Sequence, residues 1–216
     1  MTTRTALMRA AADAIEATGY DAASVASIID RADVTKGALY HHFPSKAALA
    51  RALVDDQFAP VLTRPTVDGE PLLHIAEVTL NAVQALVGEP EFRAAFGLVV
   101  DRPRPEVGDI TWPLSEWRRV LAELFASAGE QGDLVADADP AVEAALVVTF
   151  VVGQFSISRS IGNYDDILPT LLQFWITTIN RVAVAEKRGQ SVVAWQQLVN
   201  DVDLTKRSQN SAEPMG

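Results

Sequence analysis

Residues 19–46, GYDAASVASIIDRADVTKGALYHHFPSK, carry the densest set of helix starts and stops in the chain. Before them, Leu7, Ala11, Ala14 and Ile15 recur at the i, i+4, i+7, i+8 spacing of an amphipathic helix, which Gly19 ends. Ser24 fits an N-cap for VASIIDRA, with Val25, Ile28 and Ile29 turned inward. Ala-Asp-Val makes a tight turn and Thr35 caps the next helix, KGALYHHF. Pro44 stops that helix, and Ser45 caps a fourth over 46–62. Three short helices with a short turn between the second and third is helix-turn-helix spacing. Ordinary helical bundles show the same spacing, so the residue types on the third helix must separate the two readings.

Beyond a Pro/Gly junction at 63–71, helical patterns cover 71–88, 90–101, 113–129, 139–162 and 164–190. Two loops interrupt them, 101–113 and 128–140; a long Pro/Gly-rich loop inside a helical domain is often functional. No segment has a convincing strand period and no repeat is visible. The expected fold is all-α: a three-helix helix-turn-helix head over 1–50, a larger helical domain over 51–202, and a flexible polar tail over 203–216. The chain has no Cys, which excludes a disulfide framework and thiolate metal sites. Its longest uncharged run, 144–158, is 15 residues, short of the roughly 20 a spanning helix needs. We therefore expect a buried helix there, no membrane association and a cytoplasmic protein.

The net charge of −10 argues against a general nucleic-acid coat. Its distribution matters more. Residues 1–50 carry five basic and five acidic side chains, so the whole deficit lies beyond residue 50.

On the third helix, Thr35 and Lys36 stand at the N-terminus, where a hydroxyl and backbone N–H groups suit phosphate. Gly37 and Ala38 keep that face thin enough to lie close in a major groove. Tyr40, His41 and His42 supply donors and flat apolar faces, and Lys46 follows on the next helix. Leu39 and Phe43, at i and i+4, point to the core. Adjacent histidines diverge by about 100° on a helix and make a poor chelate, so no metal or other cofactor is expected. No nucleophile–base pair or known short catalytic motif is present, so no enzyme is expected either.

The segment resembles the DNA-binding head of the TetR family of bacterial repressors. The match runs through Gly19, Tyr20, Ser24, Val34, Thr35, Lys36, Gly37, Leu39, Tyr40, His42, Phe43 and Lys46. It departs at Asp33, where the family usually has Gly. The resemblance implies DNA contacts from Thr35, Lys36, Tyr40, His42 and Lys46, and a phosphate contact from Ser24. It also implies a homodimer on a pseudo-palindromic double-stranded operator.

In the larger part, Leu114, Trp117 and Leu121 share one helix face, with Trp117 a wide apolar wall bearing one N–H. A plain core Trp has the same pattern. Residues 88–154 further resemble the γ-butyrolactone receptors of antibiotic-producing actinobacteria, a TetR subfamily. That resemblance implies a small-molecule signal, a lactone, butenolide or furan with an alkyl arm, and a cavity lined by Trp117. Phe96, Val99, Leu121, Phe150 and Phe155 can supply the rest of the wall, and Thr149 and Gln154 its hydrogen bonds. Some relatives are pseudo-receptors that answer to antibiotics; the sequence pI of about 4.7 leans toward a true receptor. A helical interaction protein that does not bind DNA is the alternative. Leu171, Leu172, Trp175, Ile176 and Ile179 form an apolar stripe expected to serve the dimer or the subunit's own core.

Overall fold

A computed structural model describes residues 2–62 and 70–201. Among them are ten helices: α1 Thr3–Thr18, α2 Val25–Ala32, α3 Lys36–His42, α4 Lys46–Leu62, α5 Pro71–Gly88, α6 Pro90–Val100, α7 Trp112–Glu130, α8 Pro140–Ile161, α9 Ile167–Val182 and α10 Ala185–Asp201. The all-α expectation holds. The junction 63–69 and the tail 203–216 lie outside the described residues.

The chain forms two compact units, one of Met1–Arg64 with Gln84–Trp117, the other of Pro65–Val83 with Arg118–Gly216. In the first, α1 packs against α2, α4 and α6, burying Leu7, Ala11 and Ile15. Thr2, Ser24 and Thr35 cap α1, α2 and α3, each accepting from the backbone N–H three residues on. Ser45 does the same for α4, accepting from Ala48 N–H at 3.0 Å. Phe58 of α4 meets Phe92 and Phe96 of α6 with ring centroids 5.0 and 6.0 Å away. Segment 1–50 thus shares its core with the rest of α4 and with α6.

The second unit contains α8, α9 and α10. Asp139 caps α8 through the N–H groups of Ala141 and Val142, and Pro140 occupies its first turn. The helical pattern expected to run unbroken over 164–190 is split. Ala183 is extended, at φ −82° and ψ 147°, and bridges Leu134. Val135 N–H donates to Val182 O at 2.8 Å, and Val184 N–H to Asp133 O at 2.9 Å. These bonds take backbone groups that a continuous helix would use internally, and α10 restarts after them.

The apolar stripe of α9 also divides. Leu171, Trp175 and Ile179 are buried, with Trp175 edge-on to Trp195 of α10. They belong to this unit's own core, while Leu172 and Ile176 are half-buried. The exposed apolar stripe lies on α8 instead, at Val142, Leu146, Ile157 and Ile161, with half-buried Phe150 between them. By length and composition α8 could cross a membrane, though 39% of its most apolar stretch is buried.

Candidate nucleic-acid interface and ligand-cavity residues

The α2–α3 turn sets the interface. Asp33 ends α2 in the left-handed region, at φ 50° and ψ 50°. Its N–H reaches the carbonyls of Asp30 and Ile29, and Val34 N–H also donates to Ile29 O. Asp tolerates this conformation better than most residues, but less readily than glycine. Burial of Leu39 and Phe43 then fixes the rotation of α3. The opposite face is open to solvent: Thr35, Lys36, Gly37, Tyr40, His41 and His42 are all exposed, as is Ser24 at the start of α2. The Lys36 ammonium lies 5.9 Å from the Tyr40 ring centroid, and His41 and His42 stand edge to face at 5.2 Å.

Lys46 has a different setting. Its half-buried ammonium donates to the carbonyls of Tyr20 at 2.6 Å and Ala23 at 2.7 Å, and lies 4.2 Å from the Tyr20 ring centroid. It holds the α1–α2 turn against α4. Burial lowers its pKa from the ordinary lysine value, while the charges of Asp21 and Glu106 oppose the shift. Arg4 and Arg9 are paired with Asp56 and Glu91. Among the described residues of the head, Arg31 and Lys36 are exposed cations with no ion pair, and Lys46 bonds to carbonyls rather than to a carboxylate. Arg31, exposed in the last turn of α2, was not singled out by sequence reasoning; its basic character beside the turn was the available signal.

The expected cavity residues fall in both units. Phe96, Val99 and Trp117 are buried in the first, and Phe96 belongs to the Phe58–Phe92 cluster. In the second, Leu121 and Phe155 are buried, Phe150 is half-buried and stacked on Phe174 at 4.1 Å, Gln154 is half-buried and Thr149 is exposed. The Trp117 indole N–H is buried without an acceptor, as are those of Trp175 and Trp195 in the second unit.

Residues 7–53 match the family model of bacterial regulatory proteins of the tetR family, spanning the capped helices and the exposed face of α3. That segment is a DNA-binding head of the TetR family. The A-factor receptor protein of Streptomyces griseus is 27% identical over 212 residues, which cover 96% of this chain and 71% of that one. A solved γ-butyrolactone receptor, described as an ArpA-like protein, superposes with a TM-score of 0.76 at 25% identity, over 93% of this chain and 97% of that one. The TetR family protein CprB from Streptomyces coelicolor, solved in complex with its biological operator sequence, gives 0.75 at 26% identity over 93% and 98%. Likeness to γ-butyrolactone receptors therefore runs through nearly the whole chain, beyond its DNA-binding head. The described residues contain no cluster of three His, Asp or Glu side chains placed to hold a metal.

Proposed function

We propose that this protein binds a pseudo-palindromic operator as a homodimer, represses the genes beside it, and is released by a small γ-butyrolactone, butenolide or furan signal. The genes so controlled would be those of secondary metabolism, and the protein would work in the cytoplasm. The observation that carries the DNA reading is the exposed face of α3, rotated outward by Leu39 and Phe43. Thr35, Lys36, Gly37, Tyr40, His41 and His42 would enter the major groove, with Ser24 and Arg31 at the flanking phosphates. Lys46 supports the turn behind them. The functional division places DNA reading in 1–50 and signal binding with dimerisation in 51–202.

The exposed α8 stripe supports a dimer, because two such faces would bury each other across a two-fold axis. Two heads must then stand about 34–36 Å apart. The orphaned indole N–H of Trp117 supports signal binding, since a lactone carbonyl is a matching acceptor. To move the population from 1:99 to 99:1, the signal must prefer the released state by about 5.5 kcal/mol. Coupling is reciprocal, so operator should weaken signal binding by the same factor.

A gel shift on the protein's own upstream DNA, with and without γ-butyrolactone extract, tests both parts. Release of the shifted band by the extract is expected, and Trp117→Ala should bind DNA while ignoring the extract. No shift at low salt on that DNA or on a random-duplex selection sinks the DNA reading. A shift that only an antibiotic releases makes the protein a pseudo-receptor.

A further inference from the structure

A cleft of about 430 Å³ lies in the α6–α7 connection, within the first unit. Leu98, Val99, Pro103, Pro105 and Ile110 give it a mostly apolar lining, into which Arg102 and Arg104 and the carboxylates of Asp101 and Asp109 also enter; the Asp109 carboxylate is taken up by the Thr111 N–H and hydroxyl. The volume falls in the range of small-molecule sites.

Arg104 is held in an unusual way. Its side chain is only 8% exposed, yet no contact it makes is short. Nε carries no hydrogen bond and lies 3.6 Å from Asp21 Oδ1. Nη2 is 3.5 Å from Asp101 Oδ2, and Nη1 is 3.4 Å from Arg102 O. Charge-assisted bonds of a well-seated guanidinium are about 2.7–2.9 Å. Neighbouring Arg102 reaches Asp21 at 2.8 Å. The guanidinium is thus buried beside the cleft with two carboxylates and a carbonyl around it, none of them at the close range of a well-seated pair.

We propose that this cleft is an effector subsite for a small carboxylate with an apolar tail, the carboxylate seated by Arg104 and the tail by Leu98, Val99 and Ile110. Its floor is pinned to the DNA-reading head. Arg104 stands over the Tyr20 ring at 5.0 Å and beside Asp21, in the turn that Lys46 also grips. At the other side of the loop, Arg51 of α4 donates to Val107 O. Gly108, at φ +80°, lets the guanidinium lie there; a Cβ would meet Arg51 Nη2 at 2.5 Å. A carboxylate that draws Arg104 away from Asp21 loosens the hold on the α1–α2 turn. That consequence for DNA rests on the regulator reading above, whereas binding in the cleft does not.

The test is saturation-transfer NMR of the full chain with sodium hexanoate, against hexanamide as the uncharged match. Hexanoate should bind at least about tenfold more tightly, the worth of a charge-assisted bond. Arg104→Gln should remove that preference. Pro105→Trp, at an exposed cleft position, should block binding even if Arg104→Gln fails to fold. Equal binding of acid and amide overturns the proposal, as does hexanoate binding that survives Pro105→Trp. Hexanoate bound in the cleft by a protein that shifts no DNA would uphold the subsite and overturn the regulator reading instead.

Discussion

Lys46→Met separates two roles that a lysine at the edge of a DNA-binding head can have. The structure gives its ammonium two short bonds to carbonyls, at 2.6 and 2.7 Å, and a ring contact at 4.2 Å. Hydrogen bonds from a charged donor contribute about 1.5–3 kcal/mol each, and an exposed cation–π contact about 0.5–1. Relief from desolvating the ammonium, together with packing of the Met side chain, offsets part of the loss. The net cost should be about 2–3 kcal/mol. At roughly 2–4 °C per kcal/mol for a chain of this size, the thermal midpoint should fall by about 5–10 °C. Calorimetry at neutral pH reads this directly. The second readout is the salt dependence of operator binding below the new midpoint. Each phosphate contact contributes about 0.9 to the slope of log K against log salt, so two subunits losing one each would change it by about 1.8. We expect no change in slope. An unaltered midpoint with a reduced slope would refute the reasoning and return Lys46 to the phosphate backbone.

Asp33→Gly should stabilise the chain by about 0.5–1 kcal/mol, because the left-handed conformation is strained for Asp and free for Gly; urea denaturation checks it, and tighter operator binding should accompany the loss of an acid beside the interface. Arg181→Met should cost about 2 kcal/mol by orphaning the 4%-exposed Glu143 carboxylate, at the low end because the guanidinium is half-exposed, and adding Glu143→Gln should recover most of it. Burial lowers the His74 pKa below 6.5, and its Nε2 has no hydrogen-bond partner. The unfolded chain therefore takes up this proton first: stability is full above pH 6.5 and declines as pH falls through 6.5 toward the lower folded pKa. His74→Leu should flatten that decline in melts run between pH 7.5 and 5.

What the sequence determined by itself was everything that depends on residues a turn apart. Ser24, Thr35 and Ser45 cap their helices as their positions predict, because an N-cap needs only its own hydroxyl and an N–H three residues on. The outward face of α3 was equally legible, since Leu39 and Phe43 fix its rotation by their spacing. Tertiary structure decided what distant groups impose. The helical pattern over 164–190 breaks at Ala183 because Asp133, Leu134 and Val135 take its backbone bonds. Lys46 turns inward because the folded α1–α2 turn presents two carbonyls to it. The apolar stripe of α9 faces its own unit's core while that of α8 stays open, a choice that periodicity cannot make because both helices carry a stripe. Arg104 looked like one more charge in a Pro-rich loop. Its loose partners and its cleft exist only once the chain has buried a guanidinium that water would otherwise have satisfied.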